Sequence, residues 1–273
     1  MIEPCFALHP KWVEREGVNA FLSPLQAAGM VGLEFTLYAQ PGEGEPMRAL
    51  AEDCARSGFH CNFHAPYQDP HNPAGFASDR REALQALFTP ALAFAERIAA
   101  ETGYAPGLVI HGAHGFTPLA TLREDTRQFL LWVLEHTRAC RVMLENLPPK
   151  PGTVRLGETP EQVAALVAQI DHPRLAICWD LGHSVLQKQH DLPPADFLGR
   201  TRHVHIHDIN AAGEDHFPLV YGTVPWQRDL RALRAAGFSG AITMEINGYR
   251  ASRLDNLHQR LADSFAAIRE VLA

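Results

Sequence analysis

"ALHPKWVEREG", residues 7–17, is the stretch on which the fold turns. It leaves the first apolar run, EPCFAL (3–8), and enters the first helical pattern, NAFLSPLQAAG (19–29). A doubly wound open sheet normally carries a glycine-rich phosphate loop after its first strand. This stretch has nothing of the kind; its glycine comes only at the end. Outward from it, short apolar or β-branched runs recur at 32–37 (GLEFTL), 59–64 (FHCNFH), 107–112 (GLVIHG) and 141–146 (RVMLEN). Three more follow at 174–180 (RLAICWD), 202–208 (RHVHIHD) and 240–247 (GAITMEIN). Each is separated from the next by a longer segment with apolar residues at helical spacing. Eight strands alternating with helices, without a linker or composition break, predict a closed (β/α)₈ TIM barrel spanning 1–273 as a single domain.

The helical segments carry their own punctuation. PMRALAEDCARSG (46–58) ends at glycine, a usual helix stop, as does the 19–29 segment. SDRREALQALFTPALAFAERIAAETG (78–103) is expected to open with Ser78 as its N-cap. The segments starting TPLATLRED (117) and TPEQVAAL (159) each begin with Thr-Pro, an N-cap followed by proline in the first turn. PADFLGR (194–200), PWQRDLRALRAAG (225–237) and LDNLHQRLADSFAAIREVLA (254–273) supply the remaining helices.

Bulk composition narrows the function classes. Of the 273 residues, 46% are hydrophobic and 20% charged, as in a soluble globular protein with an ample core. The net charge of −7 argues against a nucleic-acid partner, although a local basic or metal-lined cleft would escape that argument. Five cysteines without a CxxC read as reduced thiols, as expected in the cytoplasm. The N-terminus has no basic region followed by an apolar run, and no stretch is long and apolar enough to cross a bilayer. The expectation is a cytoplasmic protein with no membrane association.

In a barrel the site is built where strands end and βα-loops begin. The last inward-facing positions are Glu34, His64, His111, Glu145, Asp180, His205 and Glu245. Strand alternation places His203, His205 and His207 on one face. Acids converging on a small volume repel unless protons or a cation neutralise them. Glu145, Asp180, His205 and Glu245 form a set of hard oxygens with one imidazole, suited to Mn²⁺, Mg²⁺, Co²⁺, Zn²⁺ or Fe²⁺. His60 and His203 read as deeper core residues, and Cys178 as core filler. Glu34 fits either a sugar hydroxyl or a salt bridge, while His114 and His207 receive no assignment. Lys150, Arg155, Lys188 and Arg250 lie near loops that could hold an anionic tail. Trp12, Trp179 and Trp226 fit core packing or an aromatic wall.

The motifs HAPY (64–67), IHG (110–112), LEN (144–146), WDLGH (179–183), VHIHD (204–208), DHFPLVYG (215–222) and MEIN (244–247) resemble those of the xylose-isomerase-like barrel superfamily. It includes sugar isomerases and epimerases, dehydratases and AP-endonucleases of the endonuclease IV type. The resemblance runs the length of the chain in order. For the isomerase branch it implies a metal on Glu145, Asp180, His205 and Glu245, with His183 contacting substrate oxygen. For the endonuclease branch it implies three metals. His64, His111 and Glu145 would hold one, with Glu145 bridging. Asp180, His205 and Glu245 would complete a second, and His183, Glu214 and His216 a third. Glu214 stands where that branch has Asp. The segment LPPKPGTVRLGE (147–158) and the first βα-loop depart from the endonuclease pattern, and PLVYGTVPW (218–226) is closer to the isomerase one.

The function expected is therefore a divalent-metal-dependent isomerase or epimerase of a small sugar, polyol or related hydroxy-ketone. Glu145 and Glu245 would move the α-proton through a metal-stabilised enediolate. The alternatives are a dehydratase, a phosphodiesterase with a multinuclear zinc site, or a degenerate barrel that binds without turnover. A homo-oligomer is compatible with barrels of this type, which often pair through loop or helix surfaces.

Overall fold

The computed structural model describes residues 1–14, 16–38 and 44–273. Eight parallel strands form the wall: β1 (Ile2–Ala7), β2 (Gly32–Thr36), β3 (His60–His64), β4 (Gly107–His111), β5 (Arg141–Glu145), β6 (Leu175–Asp180), β7 (Thr201–Ile206) and β8 (Gly240–Met244). They close in the order β1-β8-β7-β6-β5-β4-β3-β2, each beside its chain neighbours, with β8 paired to β1. The predicted closed barrel is the observed fold.

The connecting helices are α1 (Val18–Ala28), α2 (Gly44–Arg56), α3 (Arg81–Thr102), α4 (Leu119–His136), α5 (Pro160–Ile170), α6 (Ala195–Arg200), α7 (Trp226–Ala235) and α8 (Leu257–Leu272). Shorter helical turns at Pro10–Val13, Leu181–Leu186 and Gly248–Ala251 lie in the loops after β1, β6 and β8. Loop segments at His114–Gly115 and Val154–Arg155 pair as a small antiparallel ribbon. None of the helices among the described residues is long and apolar enough to cross a membrane.

Most apolar side chains fill the space between the wall and the helices, where Phe6, Phe21, Phe63, Phe129, Trp179 and Phe265 are fully buried. The barrel interior holds a much smaller apolar patch of Val109, Met143 and Cys178. Cys178 is thus the core filler expected, and burial pushes its thiol up, away from the thiolate form a metal would need. All five cysteines are free and buried. Trp179 and Trp226 are core residues, while Trp12 is only partly buried.

Two of the helix starts differ from the sequence expectation. Thr159 caps α5, accepting the Gln162 amide at 3.3 Å, but the cap of α4 is Pro118, and Thr117 makes no capping bond. Ser78 does not cap α3, which begins at Arg81. The preceding turn is held instead by Asp125 from α4, whose carboxylate accepts the Gly75 and Ala77 amides at 2.8 and 2.9 Å. A carboxylate from a distant helix has taken over the local capping role. His60 also departs from its assignment: it is exposed at the start of β3, stacked on Tyr104 at 4.2 Å and 3.2 Å from Glu3.

Two local features aim the strands at the site. A register shift between Ile177 and Cys178 puts Cys178 opposite His203 and Asp180 opposite His205. Such irregularities re-aim side chains, and this one brings Asp180 level with the imidazole it must meet. Where β8 starts, a Cβ on Gly240 would lie 1.9 Å from the Arg202 carbonyl oxygen. Only glycine lets the two strands approach there.

Candidate metal centre and active site

At the C-terminal rim, Glu145, Asp180, His205 and Glu245 each offer one donor atom within 4.8 Å of the others. The four positions read from strand alternation therefore converge. His205 Nδ1 lies 3.2 Å from Glu145 Oε1 and 3.1 Å from Glu245 Oε2. Asp180 is fully buried, and its Oδ2 has no hydrogen-bond partner among the described residues. An orphaned, buried carboxylate oxygen is costly unless a cation faces it. The donor set fits a divalent ion of the harder kind.

The electrostatics agree. Burial alone would raise Glu145, yet His205 and His111 beside it hold it well below the usual carboxylate range. Burial opposes ionisation of Glu245 too, and His205 and His216 override it. Asp180 is likewise kept low, against burial, chiefly by His183. A bound divalent ion would compete with the imidazole protons that balance these carboxylates, so metal uptake should release protons.

His64 and His111 flank the other oxygen of Glu145, with Nε2 atoms at 3.3 and 2.9 Å from Oε2. Together the three could also hold an ion. The two imidazoles respond oppositely to the same burial. Contacts with Glu145 lift His64 above its ordinary value, whereas desolvation carries His111 down to about 4. His64 Nδ1 donates to the Ala65 carbonyl at 2.7 Å, which turns Nε2 towards the site. Tyr67 packs on both rings at 5.1 and 4.7 Å.

His183 follows Asp180 in the helical turn after β6. Its amide is capped by Asp180 Oδ1 at 2.7 Å, and its Nδ1 donates to the Asn146 carbonyl at 2.9 Å. That bond uses the Nδ1 proton, so Nε2 is left for another partner. His216 has φ 61, in the left-handed region, and its Nδ1 lies 3.1 Å from Asp215. Asp215 also pairs with Arg250.

Glu214 is not brought to the centre. Its carboxylate accepts from Asn210 Nδ2 at 2.8 Å, approaches Arg253 at 3.6 Å, and is 37% exposed. The acid beside His216 is Asp215 instead. His207, unassigned from the sequence, is fully buried, with Nε2 3.2 Å from Asp180 Oδ1. Asp208 was also missed as a site residue. Its carboxylate accepts five main-chain amides, from Ile209, Tyr221, Gly222, Thr223 and Val224, at 2.7–3.2 Å. Its place directly after the histidine column is the only signal the sequence carries for that role.

A cavity of about 1130 Å³ opens from this centre between the loops after β1 and β8. Glu34, Glu245 and His216 lie at its inner end; Trp12, Tyr38 and Tyr249 line it further out. Arg250 lines it as well, already engaged by Asp215. Trp12 is braced on Phe6 and Phe21 at 5.6 and 5.5 Å.

A family profile described as the xylose isomerase-like TIM barrel matches residues 22–271. Among characterised folds, the D-psicose 3-epimerase of Clostridium cellulolyticum H10 superposes with a TM-score of 0.76 at 15% identity, covering 99% of each chain. A D-tagatose 3-epimerase-like protein gives 0.69 at 22% identity, over 99% of this chain and 97% of that one. The 3-keto-D-glucoside 4-epimerase YcjR of E. coli gives 0.65 at 18% identity, with 98% of both covered. An uncharacterised protein of Methanocaldococcus jannaschii is 26% identical over 204 residues, 68% of this chain and 64% of that protein's length. At these identities the superpositions establish the architecture, and the profile establishes descent: the chain belongs to the xylose isomerase-like TIM barrel family.

Proposed function

We propose that the protein is a divalent-metal-dependent sugar epimerase or isomerase acting on a ketose or related hydroxy-ketone. The observation that carries this reading is the pair Glu145 and Glu245. They stand on well-separated strands of the ring, yet both reach His205 Nδ1, at 3.2 and 3.1 Å. Two carboxylates approaching one point from different sides suit proton removal on one face of a carbon and proton return on the other. The structural neighbours named as sugar 3-epimerases and a ketoglucoside 4-epimerase support the same chemistry.

An ion held by Glu145, Asp180, His205 and Glu245 would polarise the substrate carbonyl and stabilise the enediolate left when the α-proton departs. The protein groups then divide the work. Glu245 is the base: its side chain is 26% exposed and lines the cavity, whereas that of Glu145 is 1% exposed. His216 Nε2, 3.7 Å from Glu245 Oε2, is placed to pass a proton to or from it. His183, its Nδ1 committed to Asn146, offers Nε2 to a substrate oxygen. Glu145 returns the proton from the other side.

The test is solvent exchange at the substrate α-carbon in Glu245→Gln protein that retains metal. Exchange into ketohexoses such as D-fructose, D-tagatose and D-psicose should vanish in the variant and persist in the parent. Persistent exchange in the variant would remove Glu245 as the base.

The phosphodiesterase reading draws on the His64, His111 and Glu145 set, which could hold a second ion beside the first. The third ion of that reading loses Glu214, which faces Asn210 and Arg253. Elemental analysis of protein purified without chelator separates the two: one exchangeable ion per chain for the epimerase, three retained zinc ions for the phosphodiesterase.

A further inference from the structure

Beneath the metal centre lies a polar layer that the proposed reaction does not use. Glu34 on β2 is buried inside the barrel, and its two oxygens face different partners. Oε1 lies 3.0 Å from His205 Nε2. Oε2 lies 2.7 Å from His203 Nε2 and accepts the Thr243 hydroxyl at 3.0 Å. His203 is seated across the bare Cα of Gly107, where a Cβ would come within 2.9 Å of its Nδ1.

We propose that Glu34 is a positioning residue that fixes the tautomer and ring orientation of His205, so that Nδ1 is presented to the metal. The inference rests on the metal-centre reading above. A carboxylate accepts, so the proton between Glu34 and His205 belongs to Nε2. Nδ1 is the nitrogen that faces Glu145 and Glu245, and the Nε2–H bond holds it there. A carboxylate behind a ligating imidazole also raises the basicity of the ligand nitrogen. Glu34 is itself held from two sides, by β7 through His203 and by β8 through Thr243, so its aim is set by three strands. Of the two roles the sequence offers Glu34, the salt bridge is the one observed, made to His203 and His205 inside the barrel, and it engages both oxygens.

The test measures Mn²⁺ and Zn²⁺ dissociation constants by competition with a fluorescent chelator in Glu34→Gln, Thr243→Val and Asp180→Asn proteins. Glu34→Gln should weaken binding roughly 10–100-fold, and Thr243→Val by less, with thermal melts confirming a folded barrel. In the Zn²⁺-loaded parent, long-range ¹⁵N–¹H correlation spectra should show His205 protonated at Nε2 and coordinated through Nδ1. Unchanged affinity in Glu34→Gln, or coordination through Nε2, would overturn the proposal. Asp180→Asn keeps the two ideas apart. If it fails to weaken binding, the metal-centre reading is wrong. If it weakens binding while Glu34→Gln does not, only the role of Glu34 is wrong.

Discussion

His216 lies flat on His207, ring centroids 4.1 Å apart and planes 10° from parallel. The same residue's amide donates to His207 Nδ1 at 3.1 Å. An Nδ1 that accepts leaves the proton of the neutral ring on Nε2, 3.2 Å from Asp180 Oδ1. The angle there is off-line for a formed hydrogen bond, since Nε2 counts among the buried atoms without one. The proton location matters more than the angle. Asp180, His183, His207 and His216 lie close enough together to hold an ion, but His207 Nε2 carries a proton rather than a lone pair. His207 therefore buttresses Asp180 instead of ligating.

His207 is accommodated by a missing side chain. A Cβ at Gly182 would lie 2.0 Å from His207 Cε1 and 2.5 and 2.6 Å from its Nε2 and Nδ1. Gly182→Ala should displace the imidazole and the Asp180 carboxylate behind it. The overpacking should cost about 1–3 kcal/mol, read by urea denaturation, together with weaker metal binding. Wild-type metal affinity in this variant would show that His207 does not support Asp180.

Asp208 organises the loop that delivers His216. Replacing it with alanine would orphan five main-chain amides at once. Tyr221, Gly222 and Thr223 are exposed, so water can take up their freed amides once the loop opens, and the segment should detach while the barrel stays folded. Hydrogen exchange at Tyr221 and Gly222 should rise by orders of magnitude and KM should increase. Protected amides in Asp208→Ala would mean that other contacts hold the loop.

The Asp215–His216–Glu245 group sets a pH window. Burial lowers the His216 pKa, but hydrogen bonds to Asp215 and Glu245 outweigh it and carry the group to about 10. A folded value above the ordinary 6.5 means the stabilisation is complete below that pH and is lost as pH rises through about 10. In chelator-treated protein the His216 Cε1–H resonance should titrate near pH 10. Asp215→Asn should bring the midpoint down towards the ordinary value. A midpoint near 6.5 in the parent would contradict the ion-pair geometry.

The barrel was legible because strand and helix periods alternate strongly, and the four convergent ligands because β alternation assigns faces without knowledge of the partner strands. What failed depended on contacts between distant segments or on a local reversal. Ser78 lost its capping role to Asp125, 47 positions away by chain number. The resemblance to the endonuclease branch points to Glu214, but the left-handed backbone at His216 puts the adjacent Asp215 beside the ring. The role of Glu34 required knowing that β2 faces β7 across the barrel, which no single strand records.

Metal removal should be visible in stability as well as in activity. Glu145, Asp180 and Glu245 stay ionised through surrounding imidazoles, an arrangement less favourable than one divalent ion at their common focus. A ligand that binds only the folded chain stabilises it by about 2.7 kcal/mol at a concentration of 100 Kd. For a domain of this size that is roughly a 5–10 °C rise in unfolding midpoint. Adding Mn²⁺ or Zn²⁺ to chelator-treated protein should produce that rise and release protons into weak buffer. In Asp180→Asn the rise should largely disappear, whereas in His64→Ala it should persist, because His64 reaches only the outer oxygen of Glu145. The opposite ranking, loss in His64→Ala and retention in Asp180→Asn, would move the primary ion to the His64, His111 and Glu145 set.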